Sequence, residues 1–161
     1  VELPLDCHPL FTISEEVGSG ASAILHGDIA EMLTLDNGTT APGQNSQEYG
    51  VTICMADMSG PFDYHLTHRL LQICQEFEIP HQRDVFRFYR SDSAAAVEAG
   101  NDLRTALATF GVDASHGWER IHWNALESLA QLVALYMQSP PLYERDRDAV
   151  SPLPGFSTMP G

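Results

Sequence analysis

"GVTICMADMSGPFDYHLTHRLLQICQEFEIPHQRDVFRFYR", residues 50–90, sets the fold class. Its first eight residues, 50–57, are apolar and β-branched and predict a buried strand. In the next part, residues 59–80, Leu66, Leu70, Ile73, Cys74 and Phe77 recur at three- and four-residue spacing, which puts them on one face of a helix that Pro80 ends. Residues 84–90 alternate and predict a second strand. Strand, helix and strand in this order are the building unit of an α/β layer structure.

The flanks extend the pattern. Upstream, residues 9–14 and 31–36 predict strands, and the small residues of 20–25 predict a short helix between them. Residues 37–50, "NGTTAPGQNSQEYG", form a polar loop long enough to suggest function or mobility. Downstream, residues 91–100 predict a short helix capped by Ser91 or Asp92, and 102–111 a further strand. Leu126, Leu129, Val133 and Tyr136 mark one face of a helix over roughly 124–137 with Asn124 as its cap. We therefore expect an α/β fold with a mostly parallel or mixed sheet flanked by helices, spanning residues 1–138. Residues 139–161 are proline-rich and predict a tail without a core.

With 161 residues and 43% hydrophobic content, the chain can bury one core. A formal charge of −14 repels phosphate backbones and anionic lipid heads, so nucleic acid and membranes are not expected partners. Cys7, Cys54 and Cys74 are odd in number and widely spaced, which argues against a disulfide framework and for a reducing cytoplasm. No apolar run approaches the ~18 residues of a membrane span.

In α/β sheets reactive groups gather where strands end. That rule singles out Glu15 and Glu16 after the first strand, Asp36 closing the second, Arg90 to Asp92, and "ASHGWERIH", 114–122. Adjacent glutamates repel each other, and a site that keeps both offers them a cation or a shared proton; a solvated turn is the plainer alternative. Glu16, Asp36 and His116 could hold one zinc ion. Two glutamates, an aspartate and a histidine divide more naturally between two metals and a base. His65 and His68 lack a carboxylate one turn away and read as surface residues.

"HPLFTISEEVG" (8–18), "LTLDNG" (33–38), "SGPFD" (59–63), "RSDSAAAVEAG" (90–100) and "DASHGWERIH" (113–122) resemble, in this order, the C-terminal half of the dinuclear-metal aminopeptidases of the tetrahedral-aminopeptidase and glutamyl-aminopeptidase kind, peptidase family forty-two. "FGVDASHGWERIH", 110–122, is closest to the branch linked to the osmolyte N-acetylglutaminylglutamine amide. The resemblance implies a zinc-exopeptidase-like catalytic domain, present in part, that removes the N-terminal residue of a peptide substrate. It implies two divalent ions, zinc or cobalt, and a homo-oligomer. Glu15 matches the general base, Glu16 and His116 match ligands of one metal, and Asp36 matches a terminal ligand of the other.

The departures are as informative. The family also uses an earlier histidine and a bridging aspartate, which His8 and Asp6 lie too close to the first strand to supply, so the chain is expected to be part of a longer enzyme. Where the family commonly has Gly-Gly-Thr-Asp, this chain has "RSDS": Asp92 keeps the acid, and Arg90 could pair with a substrate carboxylate or with a local acid. Trp118 and Trp123 could wall the substrate pocket or join the core, and His122 is a weaker metal candidate than His116. A deacylase or carboxypeptidase of the same broad fold, or a non-catalytic assembly partner, are the competing readings.

Overall fold

In the computed structural model, residues 2–22 and 29–143 are described. Six strands form one sheet: β1 (Glu31–Thr39), β2 (Val51–Asp57), β3 (Gly60–Pro61), β4 (His81–Val85), β5 (Arg104–Asp113) and β6 (Arg120–Ile121). Three helices accompany them: α1 (Tyr64–Glu76), α2 (Asp92–Glu98) and α3 (Trp123–Met137). The sheet is mixed. β5 lies parallel to β1 and antiparallel to β2, and β2 lies parallel to β4 on its other edge. The expected α/β class, with a mixed sheet flanked by helices, is what forms.

Period-2 alternation divides the strands between two faces. Leu33, Val51, Ile53, Ala106 and Ala108 point to one face, where they pack with Leu66, Leu70, Ile73 and Cys74 of α1 and Leu129 and Leu132 of α3. Asp63 starts α1, its carboxylate accepting the Leu66 amide at 2.8 Å. The opposite face carries Thr34, Asp36, Thr52, Cys54, Leu107 and Thr109. Phe62, Phe86 and Tyr89 cover part of it, and α2 joins it through a 2.6 Å hydrogen bond between the hydroxyls of Ser93 and Thr34.

Several expectations need correction. Residues 9–14 form no strand: Phe11 is 90% and Ile13 98% exposed, and strand propensity is expressed only against a neighbouring strand. The strand placed at 84–90 lies at His81–Val85 instead, and beyond it Phe86 turns inward while Phe88 is exposed. Helix α1 stops at Glu76, with Phe77 half-exposed at its end and Glu78 in a left-handed conformation (φ 54°), four residues ahead of Pro80. The buried face of α3 is Ala125, Ser128, Leu129 and Leu132, and His122 caps it in place of Asn124, which instead accepts the Gly50 amide at 3.0 Å. Half of the helix expected at 20–25 and most of the tail at 139–161 lie outside the described residues.

The long loop after β1 is held by one buried acid. Asp84 Oδ2 accepts hydrogen bonds from the amides of Asn45 and Ser46 and from the Gln44 side chain at 2.8–2.9 Å. A carboxylate oxygen with three donors fixes the loop as a structural element.

Candidate active site

Glu15 and Glu16 sit in a single turn of 3-10 helix, Glu15–Val17. Backbone bonds close it, Gly18 N to Glu15 O at 2.8 Å and Ser19 N to Ser14 O at 3.1 Å. Gly18, at φ 79°, supplies the left-handed residue that ends the turn. On the other side, β5 runs into a loop where Ala114 (φ 56°) and His116 (φ 64°) are also left-handed. Such backbone costs of order 1–3 kcal/mol per residue and clusters at functional sites. The His116 amide donates to Glu119 Oε1 at 2.9 Å, which steadies the bend.

These two loops meet. His116 Nε2 stands 3.1 Å from Glu16 Oε2, both side chains about two-thirds exposed. They flank an open cleft of about 320 Å³ lined also by Glu15, Met58, Tyr89, Arg90 and Asp92. Asp36 lies near enough to Glu16, Asp92 and His116 for their charges to act on it. It does not close its strand as expected: β1 runs on to Thr39, so Asp36 stands mid-strand, opposite Thr109 of β5, and presents its carboxylate from the face of the sheet. The four acids and the histidine therefore gather over the sheet face left free by α1 and α3.

The crowding shifts their acidity. Burial pushes the Glu15 carboxyl above the ordinary range, the charges of Asp36, Glu16 and Asp92 push it further, and His116 pulls it back. Burial raises Asp36 too, against the Asn37 amide that donates to it at 2.7 Å. The repulsion read from the adjacent glutamates is thus real for Glu15 but secondary to burial. Raised carboxyls in a cleft are typical of groups that trade protons or wait for a cation.

Other expected site residues take different places. Asp92 is 5% exposed, and its Oδ1 accepts the Ala21 amide at 2.6 Å. Arg90 lines the cleft but is paired through both guanidinium nitrogens with Glu98, at 2.8 and 2.5 Å. Trp118 is 95% exposed and is not among the cleft-lining residues, and Trp123, 70% exposed, donates to Glu127 at 2.8 Å; neither joins the core. His122 is the α3 cap. Residues missed in the sequence include Tyr89, whose hydroxyl reaches Asn37 O at 3.4 Å, and Asp57, whose Oδ2 accepts the Ser91 amide at 3.0 Å. Asp57, at the end of β2, could have been found by the strand-end rule.

Chemically, a carboxylate and an imidazole side by side are donors that zinc and cobalt accept. Glu16 and His116 bring one such pair together, and Asp36 adds a carboxylate nearby. Among the described residues no group of three or more His, Cys, Asp or Glu side chains is arranged to hold an ion, so the donor set here is partial.

Residues 1–132 match the pattern of the M42 glutamyl aminopeptidase family. YhfE of Bacillus subtilis (strain 168), an aminopeptidase by assignment, is 38% identical over 140 residues, 87% of this chain and 40% of its own length. The chain thus spans less than half of that curated relative. Among solved structures, the Pyrococcus horikoshii TET1 peptidase, which can assemble into a tetrahedron or a large octahedral shell, is similar with a TM-score of 0.70 and 22% identity, over 79% of this chain and 39% of its own. Aminopeptidase APDkam598 from the archaeon Desulfurococcus kamchatkensis gives a TM-score of 0.70 and 18% identity, over 89% and 44%. The structural likenesses establish the shared fold, and the family pattern, covering most of the residues, goes further: the chain belongs to the M42 glutamyl aminopeptidase family.

Proposed function

We propose that the complete enzyme is a metallo-aminopeptidase that hydrolyses the first peptide bond of short peptides, and that residues 1–138 contribute part of its catalytic domain. The observation that carries this is the Glu16–His116 pair at 3.1 Å, with Glu15 beside it and Asp36 beneath. Glu16 and His116 would hold one divalent ion, zinc or cobalt, and Asp36 a second; the remaining ligands, a histidine and a bridging carboxylate, come from sequence outside residues 1–161. When bound, such a pair activates water and polarises the scissile carbonyl.

Glu15 is the general base. Its raised pKa suits a group that must take a proton from the attacking water and pass it to the leaving amine near neutral pH. The turn that makes Glu16 a ligand holds Glu15 beside the water without consuming it as a ligand. Arg90, at the cleft wall, can exchange Glu98 for a substrate carboxylate, and the exposed Trp118 beside His116 offers a surface for the peptide beyond the scissile bond. By analogy with the TET1 peptidase the enzyme is a homo-oligomer, and its three unpaired thiols fit the cytoplasm. The stretch 110–122 supports a substrate related to the osmolyte dipeptide, which a panel of aminoacyl-anilides against N-acylated dipeptides would separate from a general aminopeptidase.

In the complete enzyme, Glu15→Gln abolishes turnover and leaves metal content nearly intact, whereas Glu16→Ala and His116→Ala lower metal content. Equal metal loss in all three would refute this division of roles. The 161-residue chain alone is expected to be inactive on aminoacyl substrates and to bind at most one ion loosely by calorimetric titration.

A further inference from the structure

We propose that Asp92 is a positioning residue that sets the distance between the Glu15–Glu16 turn and Asp36. This rests on the roles given above to Glu15 and Glu16. Three observations carry it. Asp92 is 5% exposed, yet its carboxylate faces the backbone of another segment, 71 residues earlier in the chain: Oδ1 accepts the Ala21 amide at 2.6 Å. A Cβ on Gly20 would stand 2.3 and 2.5 Å from the two Asp92 carboxylate oxygens, so the carboxylate occupies the space that any side chain at position 20 would need. Helix α2, which begins with Asp92, is itself fixed to β1 through Ser93 and Thr34, two residues before Asp36, and its leading residue Ser91 is fixed to Asp57.

The chain of contacts is short and stiff. Backbone bonds from Gly18 to Glu15 and from Ser19 to Ser14 close the glutamate turn as far as Ser19, and the next two residues, Gly20 and Ala21, are those on which Asp92 sits. Moving the Asp92 carboxylate moves Gly20 and Ala21, and with them Glu15 and Glu16, relative to Asp36. Nothing in this role needs the charge of Asp92. It needs an acceptor oxygen at that place and a side chain of that length.

The test separates length from charge in the complete, metal-loaded enzyme. Asp92→Asn keeps the shape and an acceptor oxygen for Ala21 and is expected to lower kcat far less than Asp92→Glu does, with KM little changed. Asp92→Glu keeps the charge but pushes one carbon further into the Gly20 backbone, and kcat is expected to fall about 10- to 100-fold, as for misplacements near 1 Å, with KM little changed. Gly20→Ala is expected to produce the same fall, and to cost little further in an Asp92→Ala background because the shortened side chain leaves room for the new Cβ. Tolerance of Asp92→Glu with loss of activity and raised KM in Asp92→Asn would overturn the proposal in favour of a charge that binds substrate. Additive effects of the Gly20 and Asp92 changes on the thermal midpoint would overturn the contact itself. That midpoint is read without turnover, so it stands or falls independently of whether Glu15→Gln removes activity.

Discussion

The two faces of the sheet are built on opposite principles. The face under α1 and α3 is closed by interlocking aliphatic side chains, with Val51, Ile53, Leu66, Leu70 and Leu132 all at 0% exposure. The other face holds Asp36, Asp92, Glu15 and Glu16 in and around an open cleft, and its cover is a seven-residue helix, three aromatic rings and two loops with left-handed turns. Stability is concentrated on one side. Glu15 and Asp36 on the other side, whose burial and like-charged neighbours oppose folding, are carried by a sheet that the first face holds in place.

The contrast breaks first where the closed face is opened. Leu70→Ala leaves a cavity between α1 and the sheet and is expected to cost ~2–5 kcal/mol, read as a lowered midpoint in denaturant with an unchanged slope. A smaller loss would mean that the aliphatic face carries less of the fold than its burial suggests.

A second, smaller effect belongs to the acidic face. Glu15 and Asp36 have raised carboxyls, so the folded chain holds protons more tightly than the unfolded one. Stability from these two groups is present below their ordinary carboxylate range and is lost as pH rises through the raised values. Glu98 and Asp113, lowered by Arg90, Thr40 and Arg120, act with the opposite sign and in a lower window, and both are exposed. The metal-free chain should therefore lose thermal midpoint as pH rises upward from the ordinary carboxylate range of about pH 4, and Asp36→Asn should flatten that loss. An unchanged slope in Asp36→Asn would remove this acid from the account.

The least effect is expected at the rim. Trp118→Ala and Arg90→Ala should leave the thermal midpoint of the chain unmoved, since one side chain is 95% exposed and the other makes a surface pair. In the complete enzyme, a changed KM in either variant would sharpen the contrast by assigning the rim to substrate.

Much of the closed face was legible in the sequence because burial there is periodic. Leu66, Leu70, Ile73 and Cys74 announce α1, and Val51 and Ile53 announce β2, since these residues have no task but packing. The open face obeys no such period. β4, "HQRDV", pairs with β2 alone among the described residues, so polar residues suffice, with Gln82 donating to Thr52 at 2.7 Å and Asp84 tethering the loop. Just after it, Phe86 and Tyr89 serve a lid of rings and a cleft wall, while Phe88 is exposed. Asp36 was found as an acid but misplaced at a strand end, because the strand-end rule says nothing of a carboxylate that works from the face. The meeting of Glu16 with His116, one hundred positions apart, was legible from the strand-end rule and, more sharply, from the order of motifs.

The parallel pairing of β1 with β5 also sets a timetable. Glu31 finds its register partner in Arg104, 73 positions later, so on a ribosome adding roughly 5–20 residues per second β1 waits about 4–15 s before the strand that completes it has been made. For that interval the nine-residue β1 lacks the one strand that pairs with it among the described residues, and α1 is synthesised in the meantime. Translation speed over residues 31–104 thereby becomes a lever on yield: slowing it prolongs the time in which β1 can pair with the wrong chain.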